Sequence, residues 1–306
     1  MKNSKSKKLG RRENIAGLLF VALPLLYLVL FTLVPVVFSL YISFTAWTGF
    51  TTIGNAPWVG INNYRDILGG VYWEEFRMAV FNTVFMMLGI PICLILALLL
   101  ALALNKKLPG RGVFRVIYYV PAITSIVAVS IIFTQLFRID GAVNDFLSLF
   151  GISGIRWLDR AYPARWLIII ISVWGGLGFM TLLYLAGLQG ISQEYYEAAR
   201  LDGANAFQML WKLTVPLIRP VTFFLVITNV IGGFQKFSEP FILFPFSFGY
   251  GPEMGGLTIM VFLFFHFSGQ SSQYGVASAT AWILAFIILL VTLLQFWINK
   301  RRRSDI

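Results

Sequence analysis

This chain is short of the groups that most soluble enzymes depend on. It has one cysteine, Cys93, and one histidine, His266. A single thiol excludes an internal disulfide and a thiolate metal site. A single imidazole excludes a two-histidine zinc motif and leaves little room for serine–histidine chemistry. Charged residues make up only 12% of the 306, about half the usual share of a soluble domain. The Gly-rich loop G-x-x-x-x-G-K-[ST], whose backbone amides cradle nucleotide phosphates, is missing. No segment between the apolar runs is large enough for a nucleotide-binding domain. Ionisable residues inside those runs are scarce, which argues against proton- or sodium-coupled chemistry.

What is present is apolar. Hydrophobic residues reach 58%, Phe alone accounts for 29, and the mean hydropathy is +0.79. Such a chain cannot cover a water-facing surface, so the bilayer is the expected solvent. The net charge of +11 could suggest nucleic acid in a soluble protein. Here the basic residues lie between apolar runs, so they point to orientation in a lipid bilayer, and no nucleic-acid partner is expected.

Six stretches are long enough to cross a bilayer, near 15–45, 78–104, 113–137, 166–188, 217–237 and 276–298; about 20 residues suffice. The first carries Pro24 and Pro35, which should kink it. Its apolar run is too long for a signal peptide and no A-x-A-like cleavage site follows, so it reads as a retained span. With the N-terminus inside, seventeen basic residues fall in inner segments, including Lys106, Lys107, Arg111, Arg115, Arg200, Lys212 and Arg219. Seven fall outside: Arg65, Arg77, Arg138, Arg156, Arg160, Arg165 and Lys236. The asymmetry predicts both termini in the cytoplasm. The expected fold class is therefore all-α, a polytopic membrane protein with six transmembrane helices. A basic N-terminus (1–14) and a basic tail (299–306) flank one membrane domain (15–298). Trp47, Trp58, Trp73, Trp157 and Trp166 lie at outer ends or in outer segments, where interfacial anchoring is the simplest reading. Lys236 and Glu239, three apart at the outer end of the fifth stretch, read as a helical ion pair or as solute contacts.

Residues 189–220, QGISQEYYEAARLDGANAFQMLWKLTVPLIRP, form the informative inner segment. Ser192 can cap a helix containing Glu194, Glu197 and Arg200. Asp202-Gly203 breaks it, because glycine accepts a left-handed conformation. A second helix follows with Ala206, Met209, Leu210 and Leu213 on one face. Pro216 and Pro220 bracket the turn into the next span. Two readings stand: an amphipathic pair resting on the membrane surface, or a rigid docking element gripped by a cytoplasmic partner.

Glu197-Ala198-Ala199, three residues, Gly203, nine residues, then Leu213-Thr214-Val215-Pro216 resembles the EAA signature of ABC-importer permeases, E-A-A-x3-G-x9-I-x-L-P. Leu213 and Val215 depart mildly from its Ile and Leu. The flanking residues resemble the carbohydrate-uptake members, as do Val59 to Tyr64, Asn82-Thr83, Gly110 to Arg115, Tyr119-Val120-Pro121 and Tyr274 to Ala279. The likeness covers most of the chain, in the manner of the lactose, glycerol-3-phosphate and multiple-sugar permeases.

The resemblance implies an ABC type I importer permease fold in a bacterial or archaeal cytoplasmic membrane. It implies no cofactor on this chain: ATP and Mg²⁺ would belong to two cytoplasmic ATP-binding subunits. The other implied partners are a second permease and an extracytoplasmic solute-binding protein. Helices 192–213 would be the coupling element. Glu197 would contact the ATPase, Ala198 and Ala199 would permit close approach, and Gly203 would set the angle ahead of Pro216. Candidates for the substrate path are Trp174, Tyr184, Asn229, Gln235 and Lys236, each of which could equally serve packing. Asn229 and Gln235 are six apart, about 240° net around a helix, so only one of them is expected to face the path. The alternatives are an importer permease for a non-sugar solute, an ion-coupled carrier, or a membrane enzyme built on His266.

Overall fold

The computed structural model describes residues 3–105, 111–247, 249–268 and 272–303. Lys2, Lys106, Lys107, Gly110 and the last three residues of the tail lie outside them. Regular structure among the described residues is helical, apart from one isolated bridge between Thr45 and Trp58. In chain order the helices are α1 (Asn3–Leu28), α2 (Val34–Ser43), α3 (Asn62–Gly69), α4 (Trp73–Met86) and α5 (Gly89–Asn105). Then come α6 (Arg111–Ile123), α7 (Ile126–Leu136), α8 (Ala142–Ser148), α9 (Ala161–Gln189), α10 (Gln193–Leu201) and α11 (Ala206–Met209). The last five are α12 (Val215–Leu217), α13 (Arg219–Phe234), α14 (Ser238–Leu243), α15 (Ile259–Ser268) and α16 (Tyr274–Arg303).

Four helical stretches are long and apolar enough to cross a membrane: Ala16–Ser43, Trp73–Asn105, Ala161–Gln189 and Tyr274–Arg301. A fifth is bent, Ala206–Leu217 and Arg219–Phe234 meeting at 63°. The stretch expected as one span near 113–137 is two helices. Ser125 has ψ 127°, so the chain leaves the helix at Thr124-Ser125, three residues after Pro121.

Proline explains two wider turns. Val34 N–H bonds back to Val29 O just before Pro35, and Val215 N–H to Leu210 O just before Pro216. Each is an i→i+5 bond where the following proline has no N–H to give, so the helix widens by one residue instead of breaking. Pro24, by contrast, sits inside α1.

The long helix α9 is the centre of the core. Ala164, Leu167, Ile168 and Ile171 are buried and recur at i, i+3, i+4 and i+7, one continuous face. That face packs with Met86, Val129 and Phe137, while its C-terminal half, through Met180, Tyr184 and Leu188, packs with Cys93, Ala97 and Ala101 of α5. A Cβ on Gly178 would come within 2.5 Å of the Tyr118 carbonyl oxygen, so glycine there lets α6 and α9 touch. The first span is the opposite case. Leu18 through Phe38 expose nearly all their large side chains, as expected of a lipid-facing helix, and only its end docks, where Trp282 Nε1 donates to Ser39 Oγ at 3.3 Å.

The segment 238–275 is an integral part of the core. In α15, Ile259, Val261, Phe262 and His266 are buried against α4 and α16. Asn82 holds this insertion: its Nδ2 donates to Met254 O (2.6 Å) and Leu257 O (2.8 Å), and its Oδ1 accepts from Arg165 Nε (2.7 Å). Thr83 Oγ1 accepts from Ile259 N at 3.1 Å. His266 lies 2.9 Å from the Phe262 carbonyl through Nδ1 and edge-on to Tyr72. Trp157 and Trp166, expected as interfacial anchors, are half-buried and pack on Phe137 and Phe85.

Candidate functional site

Two places carry unusual local chemistry, a capped helix pair and a polar cavity. In the pair, Ser192 Oγ accepts from Glu194 N at 3.3 Å and opens α10. Glu194 in its first turn and Arg200 in its last both suit the helix dipole. The helix closes through paired bonds, Gly203 N–H to Arg200 O (3.0 Å) and Ala204 N–H to Ala199 O (2.9 Å), with Gly203 at φ +76°. This is a Schellman closure, which needs a left-handed residue at that point. One residue later α11 begins with a reciprocal cap: Gln208 N donates to Asn205 Oδ1 and Asn205 N to Gln208 Oε1, both at 2.9 Å. The N-x-x-Q pattern of this capping box stands in the sequence and the sequence reading passed over it.

The linker is therefore satisfied at both ends and holds the two helices at a fixed angle. Tyr196 Oη lies 3.1 Å from Thr214 Oγ1, tying α10 to the widened turn that leads into α13. The outer face of the pair is free. Glu197 and Ala198 are exposed, Ala199 is half-buried, and a Cβ on Gly203 would meet nothing within 4 Å. Around them Tyr195, Leu201, Phe207 and Trp211 are also exposed, Leu201 at 89%. Ala206 is exposed and Met209, Leu210 and Leu213 are half-buried, so the sticky face expected from the sequence is covered only in part. Pro216 sits exposed at the start of α12.

The cavity has a volume of about 350 Å³ and lies between α4–α5, the α6–α7 break, α9 and α13. Non-helical backbone is tolerated where it lines a cavity, and Thr124 at the α6–α7 break lines this one beside Pro121 and Ala122 of α6. The polar wall is built by Thr124, Ser172, Thr228, Asn229, Lys236 and Glu239. Lys236 Nζ lies 2.7 Å from Glu239 Oε1 and donates to Ser172 Oγ at 2.8 Å, and that hydroxyl is 3.1 Å from the same carboxylate oxygen. The pair does not share a helix as the spacing suggested. α13 ends at Phe234 and α14 starts at Ser238, with Phe237 at φ −135° between them. Thr258 Oγ1 holds the non-helical Lys236 carbonyl at 2.6 Å. The ion pair thus bridges a break in the chain.

The other path candidates separate. Asn229 lies on the cavity wall, its Nδ2 spent on Leu225 O at 2.8 Å. Gln235 caps α13 and is exposed. Trp174 packs on Phe133 at 5.6 Å and Tyr184 is buried in the α5–α9 core, neither of them on the cavity wall. The glycines separate too. Gly178 packs on α6; Gly175, Gly232 and Gly233 line the cavity, Gly233 against Met87 and the other two with nothing within 4 Å of a built Cβ.

Residues 76–304 match the family model described as "Binding-protein-dependent transport system inner membrane component". Over nearly full length the chain is 34% identical to the probable ABC transporter permease YesP of Bacillus subtilis, covering 100% of this chain and 97% of the relative. It is 32% identical to the lactose transport system permease LacF of Rhizobium radiobacter and 35% identical to the trehalose/maltose transport system permease MalF of Thermococcus litoralis. Both alignments cover 99% of this chain and 100% of the relative. Among solved structures, a bacterial ABC transporter involved in import of the acidic polysaccharide alginate shares the fold, with TM-score 0.77 at 24% identity over 96% of this chain and 99% of that one.

Proposed function

The chain belongs to the family of binding-protein-dependent transport system inner membrane components, and from that premise we propose how it works: as a permease subunit of an ATP-driven ABC importer, carrying a sugar or oligosaccharide. It is a transport subunit, multi-pass in the inner membrane, and not itself an enzyme. The sugar assignment is supported by relatives that transport lactose and trehalose or maltose. In this reading a binding protein delivers sugar to the outer face, a second permease completes the path, and two ATPase subunits hold the ATP and Mg²⁺. The bilayer is crossed six times with both termini inside. Four long helices and the bent fifth support that count, α6 and α7 together supply the remaining crossing, and the basic residues support the direction.

The observation that carries the reading is the rigid helix pair. A coupling device must bind its driver better in one conformation than in the other, and it must be stiff enough to pass the difference on. The Schellman closure at Gly203 and the capping box at Asn205 and Gln208 supply the stiffness. Exposed Glu197, beside Ala198 and Ala199, supplies a charged contact on a surface open to close approach, and Tyr196–Thr214 connects the pair to the root of α13. From there α13, beyond Pro216 and a 63° bend, carries Asn229 to the cavity. We assign that cavity, with Asn229 and Lys236, as this chain's half of the path. Trp174, Tyr184 and Gln235 serve helix packing and the end of α13.

The test is reconstitution with the partner permease, ATPase and binding protein in proteoliposomes. Stimulation of ATPase by sugar-loaded binding protein is expected, together with co-purification of the ATPase through residues 192–213. A chain that fails to retain the ATPase while inserting normally refutes the proposal.

A further inference from the structure

Among the described residues that line the cavity, Lys236 and Glu239 are the only ionisable side chains besides the Cys93 thiol. They neutralise each other at 2.7 Å, with side chains only 14% and 12% exposed. Ser172 stands within hydrogen-bond distance of both. The remaining polar wall is hydroxyl and amide: Thr124, Thr228 and Asn229. A charged solute moving from water into such a space loses hydration that an opposite charge replaces best. Here the one cation is already bound to the one anion. A sugar hydroxyl meets no such obstacle, since hydroxyls and amides exchange its bonds to water nearly one for one.

We infer that this half of the path passes uncharged sugars and rejects acidic ones, and that Glu239 is the specificity-determining residue because it holds Lys236 away from an incoming carboxylate. The inference rests on the assignment of this cavity to the translocation path, and it adds the charge class of the substrate.

The test uses the whole importer in proteoliposomes, with Cys93→Ser and Thr228→Cys placing a single thiol on the wall. Thr228 is exposed and lines the cavity. Labelling rates are measured with an anionic and a cationic methanethiosulfonate, each normalised to its rate with a free thiol. At an effective dielectric of about 20, one unbalanced charge about 10 Å away changes the partitioning of a monovalent ion by roughly tenfold or more. The anion-to-cation ratio should lie near one with the pair intact. Because the two ions shift in opposite directions, it should rise about a hundredfold or more in Glu239→Gln, fall as much in Lys236→Gln, and return towards one in the double variant. The double variant keeps the measurement meaningful if a single orphaned charge harms folding.

In a second arm, cellobiose and cellobiouronic acid, which differ by one carboxylate, are added directly without binding protein, and protection of the same thiol from a neutral reagent is read. Cellobiose alone should protect with Glu239 present, and the acid should gain protection in Glu239→Gln. Equal protection by both sugars in the presence of Glu239, or a ratio unmoved by Glu239→Gln, overturns the inference. Protection by neither sugar, with the charge ratios as expected, overturns instead the assignment of the cavity to the path, and the substrate claim falls with it.

Discussion

The angle of the helix pair at 192–213 depends on one backbone conformation, and substitution at Gly203 can isolate it. Gly203 sits at φ +76° with nothing within 4 Å of a built Cβ. A side chain there costs almost nothing in space and its effect is conformational. An L-residue in the left-handed region costs about 1–2 kcal/mol; Asn pays less because its short amide bonds locally, and a β-branched residue pays more. A penalty of about 1.4 kcal/mol lowers the ratio of bent to unbent pair about tenfold. Proline is worse, because it fixes φ near −65° and removes the N–H that now bonds Arg200 O. The expected order of retained function is therefore Gly, Asn, Ala, Val, Pro. The assay is ATPase stimulation by sugar-loaded binding protein in proteoliposomes, with membrane insertion followed separately and expected to stay unchanged. If Asn proves as damaging as Val, or Val is tolerated, the left-handed backbone is not what matters at Gly203, and contact with the driving subunit takes its place.

Four further variants test the helix pair and the packing of α9. Glu197→Lys leaves insertion and folding within about 0.5 kcal/mol, as an exposed substitution should, but abolishes sugar-stimulated ATPase; charge reversal that leaves stimulation intact removes Glu197 from the contact. Tyr196→Phe deletes the hydroxyl 3.1 Å from Thr214, costs about 1 kcal/mol, and should let the ATPase bind while weakening its stimulation; equal loss of binding and stimulation argues against a transmitting role. Gly178→Ala drives a methyl to 2.5 Å from the Tyr118 carbonyl oxygen and should destabilise by about 1–3 kcal/mol, read as a lower melting temperature in detergent, whereas Gly175→Ala, with open space around it, should leave melting unchanged and slow transport by narrowing the cavity.

The helix pair was the most legible part of the chain, because its signals are local. Ser192, the Asp202-Gly203 break and the Pro216–Pro220 bracket each act on a neighbouring backbone bond, and each appears where the sequence put it. Hydropathy located the long apolar helices for the same reason. It missed the opening at Thr124-Ser125, since averaging over a window hides a backbone turn within an apolar run; Pro121 was the available signal. It also left 238–275 as a connection between the fifth and sixth stretches. α15 is only ten residues long, too short to register as a span, and it is buried in part through contacts with α4, which is distant in sequence. The ion-pair spacing of Lys236 and Glu239 was readable but the break between them was not, because the bond from Thr258 that fixes it arrives from 22 residues away. Helical rotation separated Asn229 from Gln235 without saying which of them faces inward; the packing of Gly233 on Met87 sets that orientation.

Transmission between the two sites depends on α13 moving as a body, and its surroundings favour that. Ile218 at the bend and Leu225 two turns along are buried, 1% and 0% exposed, among residues of α5 and α9. Gly233 near the far end rests on Met87, beside the break between α4 and α5. Close-packed interiors shift between discrete arrangements more readily than they deform, so α13 cannot twist alone within this packing. Displacing its root through Tyr196–Thr214 must carry along the groups that contact it. Those contacts end at the cavity, where α13, the α4–α5 break and the α6–α7 opening meet. The wall therefore sets two continuous helices, α9 and α13, against two interrupted ones. On the proposed coupling, a push delivered at residues 192–213 would change the cavity's shape at the interruptions, the parts of the wall able to yield.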